Sequence, residues 1–324
     1  LYLKGRSGGG AWRMRGALAA GLLAAGAKET AATIPLSLLA VEVVLRNPAE
    51  PGEPAPDEGR RVEHEAGDGT VSRAWLVWRR NAQVYLRTWF IGALPPILEP
   101  LTYIGAFGLG LGALVGTIPV GGRPVSYMAY IAPGMIAYAI MSSAYFECTF
   151  SSFIRMYYQK TFDAIVATPC SLEDVVAGEI LWGATKALIA AAIMLGLLGA
   201  FGLIALPSGL WILPLAVLGG WAFAALGLCV AAVVPHIDAF NIPMFLFVFP
   251  MFAMSETFFP LPETGWVRGV GTCLPLTWIS RAARDAALGH PSLAAAWPGL
   301  LGLAVMGTVF TLLGLKLMRR RLIP

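Results

Sequence analysis

Between Lys186 and Asp238 the chain runs about fifty residues without an Asp, Glu, Lys or Arg. A bilayer crossing needs roughly 20 apolar residues, so this run alone is long enough for two. Further charge-free windows lie between Glu99 and Arg123, Arg123 and Glu147, Asp238 and Glu256, and Asp285 and Lys316. A soluble core has no use for so many. The chain therefore reads as an all-α, polytopic membrane protein, and its chemistry is to be sought in what lipid does not tolerate.

Composition points the same way. Charged residues make up 13% of the chain, where soluble domains carry about 25%. The net charge is +4, but in a membrane protein its placement carries the information, and no nucleic-acid partner is expected. Cys148, Cys170, Cys229 and Cys273 show no CxxC spacing and no neighbouring histidine, so packed thiols are expected rather than a zinc site or disulfide framework. His64, His236 and His290 are too scattered for a metal centre.

Residues 1–70 differ from the rest. Arg13 and Arg15 precede an Ala/Gly/Leu run, Ala25-Gly26-Ala27 resembles a signal-peptidase site, and Pro48 to Thr70 is rich in Pro, Gly, Glu and Asp. Cleavage after Ala27 would leave residues 28–92 outside the cell, against the charge pattern of the remaining chain. The composition of this stretch reads as a poorly ordered extension and linker ahead of a membrane domain over 71–324, and the Leu rather than Met at its start reads as a fragment or an over-extended gene start.

Arg73, Arg79, Arg80 and Arg87 alternate with Trp75, Trp78, Tyr85 and Trp89. This mixture predicts a helix lying in the lipid–water interface. Six spans are expected at 93–116, 127–150, 183–205, 211–234, 240–258 and 293–316, with Pro207-Ser208-Gly209 turning the longest apolar run back on itself. The interface helix, the Arg155/Lys160 loop and the Lys316–Arg321 tail are the more basic sides, which puts both termini in the cytoplasm.

Two connections are longer than linkers need to be. In the first, Phe162, Ile165 and Val166 share one face beside Lys160 and Asp163, Thr168-Pro169 breaks the helix, and Ser171 to Asp174 has capping-box spacing. The expected product is a short amphipathic helix below the membrane, its apolar face offered to a cytoplasmic partner. In the second, Phe258, Phe259, Trp266 and Trp278 alternate with Pro260, Pro262 and Pro275, ahead of a helix with Arg281 and Asp285 at i, i+4. Too polar to span and too aromatic to stand free in water, it predicts a re-entrant or interfacial cap at the outer surface.

These segments resemble the permease subunit of type-2 ABC exporters, in the branch of the nodulation lipooligosaccharide exporters, with daunorubicin-type drug exporters as cousins. The resemblance rests on Val77-Trp78-Arg79-Arg80-Asn81 with Leu94 to Leu101, on Phe162 to Pro169 through Gly178-Glu179, and on Phe258-Phe259-Pro260 with Pro275-Leu276-Thr277. It covers residues 72–324. It implies six spans, a coupling helix after the second, external re-entrant helices, a homodimer in the bacterial inner membrane, and a separate ATPase that uses the ATP. Coupling to that ATPase falls to Lys160, Phe162, Asp163, Ile165, Val166, Thr168, Pro169 and Glu179, and the external cap to Phe258, Phe259, Pro260, Pro275 and Trp278. None of the five lysines follows a glycine, so the chain has no Walker A motif and is expected to bind no cofactor of its own and to be no enzyme.

Glu99, Glu147, Glu179 and Lys186 lie in or beside spans, where a charge costs at least about 2.5 kcal/mol at the bilayer centre. Near helix ends they snorkel, which is the plain alternative to a polar ring around an inner gate. A Glu179–Lys186 contact is expected across a dimer rather than within one helix. Tyr130, Tyr138 and Tyr145, spaced by eight and seven, read as one helix face suited to sugar C–H surfaces, or as ordinary packing. With Glu99 and Glu147 they are the candidates for a translocation path. The rival classes are an ion-coupled transporter, which would want midplane carboxylates and broken helices in an inverted repeat, and an integral-membrane enzyme, for which His236 and Asp238 are a poor basis.

Overall fold

The computed structural model describes residues 70–120, 123–262 and 265–322, so the expectations placed on residues 1–69 lie outside the described residues. The order is α1 (Thr70–Arg87), α2 (Trp89–Tyr103), a two-stranded hairpin of β1 (Thr117–Val120) and β2 (Arg123–Ser126), α3 (Tyr127–Phe146), α4 (Thr161–Val166), α5 (Leu172–Ala200), α6 (Ile212–Val233), α7 (Ile237–Met254), α8 (Trp266–Cys273), α9 (Pro275–Ala287) and α10 (Leu293–Leu322). Helix α3 continues through π-helical turns to Tyr158, and α6 is preceded by the short turn Leu206–Gly209.

Among the described residues, five helices are long and apolar enough to cross a membrane: extended α3, α5, α6 with its leading turn, α7 and α10. The first expected span, 93–116, lies in α2 and its continuation, where the apolar helix Ile97–Phe107 is shorter than the others. Glycines at 105, 108, 110 and 112 weaken helix formation there, and the backbone widens to π-helical turns over Ile104–Leu111. The all-α expectation also missed the hairpin. In it Val120 pairs with Arg123 and Thr117 with Ser126, and Gly121-Gly122 separates two runs rich in β-branched residues and proline.

The core lies around α6, which packs on α3, α5 and α10. Its inner surface is small: Ala222, Ala224, Ala225 and Ala231 are fully buried. Small side chains let backbones close on one another where lipid supplies no hydrophobic drive. At Gly227 a Cβ would stand 2.6 Å from the Tyr145 carbonyl of α3. Ser126 caps α3, accepting from the Ala129 N–H at 3.3 Å. The expected capping box of α5 is present, the Ser171 hydroxyl accepting from the Asp174 N–H (3.2 Å) and the Asp174 carboxylate from the Ser171 N–H (2.8 Å).

Helix α10 exposes Leu293, Trp297, Leu301, Val305 and Val309, one residue in four along a stripe that winds slowly around the helix. Its basic end does more than mark a side of the membrane. Arg321 Nη1 donates to the carbonyls of Ala231 (2.8 Å), Ala232 (3.0 Å) and Val234 (2.7 Å), groups at the end of α6 that no helical N–H reaches. Arg319 Nε donates to Glu173 in the first turn of α5 at 2.7 Å.

Candidate functional site

Helix α1 lies along the first half of α5. Arg73, Val77, Asn81 and Tyr85 recur every fourth residue, each beside the next along a ridge that winds slowly around the helix. Gly178 lets the backbones approach: a Cβ there would meet Val77 Cβ at 2.6 Å and the Ala74 carbonyl at 2.8 Å. Along this seam Arg73 Nη1 donates to the Pro169 carbonyl (3.0 Å), Asn81 Nδ2 to Glu179 Oε1 (2.8 Å) and Trp78 Nε1 to Thr185 Oγ1 (2.9 Å). The Lys186 ammonium stands 4.3 Å from the centre of the Tyr85 ring.

Beside the seam two carboxylates and two cations are buried together. Arg155 Nη1 reaches Glu147 Oε1 at 2.9 Å and its Nη2 reaches Glu179 Oε2 at 2.5 Å. The other donors complete the set. Ser152 Oγ donates to Glu179 Oε2 (2.6 Å), Trp182 Nε1 to Glu147 Oε1 (3.0 Å) and Ser151 Oγ to Glu147 Oε2 (3.4 Å), with Lys186 Nζ 3.8 Å from that last oxygen. Every carboxylate oxygen therefore has a partner and the four charges sum to zero, the condition under which buried ions are tolerated. The Glu179 side chain is 1% exposed and that of Arg155 14%. Within the chain Glu179 and Lys186 thus have separate partners, because two turns of one helix set their heads too far apart to meet.

A cavity of about 370 Å³ adjoins the network, lined by Glu99, Tyr138, Glu147 and Lys186 together with Tyr85, Ser142, Ser143 and Phe146. Glu99 of α2 and Tyr138 of α3 both face into it. Three of the five path candidates therefore meet at one place. Tyr130 and Tyr145 do not line it. Eight residues overrun two full turns by roughly 80°, so Tyr130 leaves the face of Tyr138 and lies under the Arg284 guanidinium, 3.9 Å from its ring centre. Tyr145 is buried against Phe146.

The short helix α4 begins at Lys160, whose φ of 53° turns the chain sharply. Lys160, Asp163, Val166, Thr168 and Pro169 are exposed and Ile165 is half-buried, but Phe162 is fully buried in the chain's own core. The expected apolar docking face is thus split. Phe162 points inward because it is the side chain that can seat α4 on the bundle, and Val166 is left outside.

At the opposite end of the bundle, Phe258 packs against Phe107 and Phe252, each 4.9 Å between ring centres, and Phe259 stacks on Tyr127 at 5.9 Å. Pro260 is exposed and Pro275 opens α9 at its first position. Trp278 Nε1 donates to the Thr272 carbonyl at 2.8 Å, and its ring fills the space that Cβ atoms on Gly299 and Gly302 would occupy. The expected Arg281–Asp285 pair gives way to a fork on Glu256, with Arg281 Nε to Oε2 at 2.9 Å and Nη2 to Oε1 at 2.7 Å. The hydrogen bond to Glu256 holds Arg281 above its ordinary pKa, and burial pushes the Asp285 carboxyl up.

Sequence reasoning missed Arg155, Asn81 and Ser152 as members of the inner network. A signal was there: two carboxylates at span ends need cations, and the connection after Glu147 carries Arg155 and Lys160.

The sequence pattern of the family described as ABC-2 type transporter matches residues 72–288. The chain is 34% identical over 251 residues to Nodulation protein J of Sinorhizobium fredii, covering 77% of this chain and 94% of that protein. It is 38% identical over 219 residues to Nodulation protein J of Rhizobium leguminosarum bv. trifolii, covering 67% and 82%. It is also 25% identical over 204 residues to the inner membrane transport permease YadH of Escherichia coli, covering 62% and 73%.

Proposed function

The chain belongs to the ABC-2 type transporter family as a multi-pass permease subunit, and from that premise we propose that it exports a lipid-linked oligosaccharide or similar bulky amphiphile. The substrate class is the one the resemblance to lipooligosaccharide exporters implies. We place both termini in the cytoplasm, α1 in the interface, six spans counting α2, and two copies side by side, driven by a separate ATPase that binds and hydrolyses the ATP. The domain so formed spans 71–324.

One observation carries the mechanism: Arg155, six residues ahead of α4, holds Glu179 of α5, whose other oxygen is held by Asn81 of α1. A push on α4 from the ATPase then moves α1, α3 and α5 together. The same displacement reaches the cavity through Glu147 and Lys186, so ATP-driven closure changes the shape of the path that Glu99, Tyr138 and Glu147 line. Phe258, Phe259, Pro260, Pro275 and Trp278 form the outer cap.

Docking is tested at Val166, which is 41% exposed. Val166→Asp is expected to leave insertion and folding intact and to weaken association with the co-purified ATPase at least about tenfold, since an unpaired charge buried at an interface costs on the order of 2 kcal/mol. Undiminished association would move the docking surface off α4.

Topology is tested with single cysteines at Ser126, Gln159 and Ser292, all exposed positions. In intact cells an impermeant thiol reagent is expected to label the first and third and to spare Gln159. Labelling at Gln159 would invert the orientation and take the cytoplasmic role of α4 with it.

A further inference from the structure

Helix α7 is held at its two ends and little between them. Ile242, Phe245 and Leu246 are exposed. The backbone there runs as π-helical turns over Met244–Val248, between Pro243 and Pro250, where regular hydrogen bonding is interrupted. At one end Phe240, 1% exposed, sits between Phe150 (4.8 Å) and Phe153 (5.1 Å), two residues before Arg155.

The other end is gripped by a stripe of α9 and by α3, where the Tyr130 hydroxyl donates to the Glu256 carbonyl at 3.5 Å. Thr277, Ser280, Arg281 and Arg284 fall at i, i+3, i+4 and i+7, one helix face. Ser280 Oγ donates to the Ser255 carbonyl at 3.0 Å, Arg281 forks onto the Glu256 carboxylate, and Arg284 donates to the Glu256 carbonyl while its Nη1 lies 3.7 Å from Oε2. Thr277 Oγ1 donates to Gly271 at the end of α8. Glu256 itself has φ 55°, a left-handed conformation that a residue with a Cβ adopts only when its surroundings enforce it.

We propose that Glu256 is a positioning residue whose carboxylate, with Arg281 and Arg284, clasps the end of α7 to α9, so that displacement of α7 at Phe240 loosens this clasp. The inference adds to the coupling reading and does not depend on the substrate. It gives α7 the role of a jointed link between the Phe150/Phe153 cluster beside Arg155 and the α8–α9 cap. The charges explain the backbone: a carboxylate in fork contact with one guanidinium and facing a second holds the turn in a conformation it would otherwise leave.

The test uses the full chain in lipid nanodiscs, where both faces meet the reagent and orientation has no bearing. In a Cys170→Ser/Cys273→Ser background, Thr257→Cys places a thiol at a position that is 0% exposed, and its maleimide labelling rate is followed. Glu256→Gln and Arg281→Met are each expected to raise that rate about tenfold, and the double variant no further, because the two act as one unit. Glu256→Gly frees the backbone but also removes the carboxylate, and is expected to label as fast as Glu256→Gln. Phe240→Ala at the far end should raise the rate about threefold. Throughout, the native Cys148, also 0% exposed, should stay unreactive. An unchanged rate in Glu256→Gln overturns the clasp, and so does Cys148 reacting in step, since that is general unfolding. A wild-type rate in Glu256→Gly would mean that backbone shape, not charge, holds the turn. No effect of Phe240→Ala removes the link through α7. Ser255→Cys, equally buried, replaces Thr257→Cys if the latter fails to fold.

Discussion

Arg155→Met is expected to lower stability by about 3–5 kcal/mol, because it leaves Glu147 and Glu179 as buried carboxylates short of a cation. Methionine keeps most of the volume, so the loss reports charge rather than a cavity. In detergent the variant should show a lower melting midpoint and reduced recovery of folded protein. The informative arm is Arg155→Met with Glu179→Gln. No uncompensated charge remains in that double variant, because Glu147 keeps Lys186 at 3.8 Å and Trp182 at 3.0 Å, and an amide at position 179 can still accept from Asn81 and Ser152, which hold the carboxylate at 2.6–2.8 Å. Most of the lost stability should return. Transport should not, if Arg155 is what ties the base of α4 to α5. Recovery of transport along with stability would reduce the network to a packing device.

Phe162→Asp is expected to be lost before it reaches any partner. Removing a buried phenylalanine side chain costs about 3–5 kcal/mol, and the new carboxylate would be buried with no cation beside it, a further penalty. The side chain is 0% exposed and belongs to the same core as Phe153, Val175 and Val176. Little folded protein should accumulate in the membrane, whereas Phe162→Leu should fold and fall only modestly in melting midpoint. This reverses what the sequence suggests, where Phe162 leads an apolar face offered to the ATPase. Normal accumulation of Phe162→Asp with loss of ATPase association alone would restore that first reading and place the side chain outward.

The two expectations for α4 show where a sequence pattern stops being informative. Apolar residues at i, i+3 and i+4 define a face, and the helix does form over Thr161–Val166. Periodicity says which side chains lie together but not which neighbour covers them. In six residues the face is barely wider than one ring, so seating α4 on the bundle uses Phe162 and leaves Val166 exposed. The tyrosines of α3 fail in the same way: their spacing looked like one stripe, yet Tyr130 belongs to Arg284 and Tyr138 to the cavity.

The sequence by itself determined the features that solvent dictates. Long charge-free windows in a chain with 13% charged residues fold mainly as apolar helices, β1 at the end of the first being the exception, and Ser, Pro and Gly at their ends set caps and turns through contacts a few residues long. Family membership was legible for a related reason, since its motifs sit at the ends of those helices and in their loops. Only the tertiary structure decided how the buried charges pair. Asn81, Glu147, Arg155, Glu179 and Lys186 come from three helices, and Arg281 turned from a partner four residues away to Glu256 on the far side of α8. An ion in a low-dielectric interior binds the best-placed opposite charge in space, and sequence distance carries no information about that.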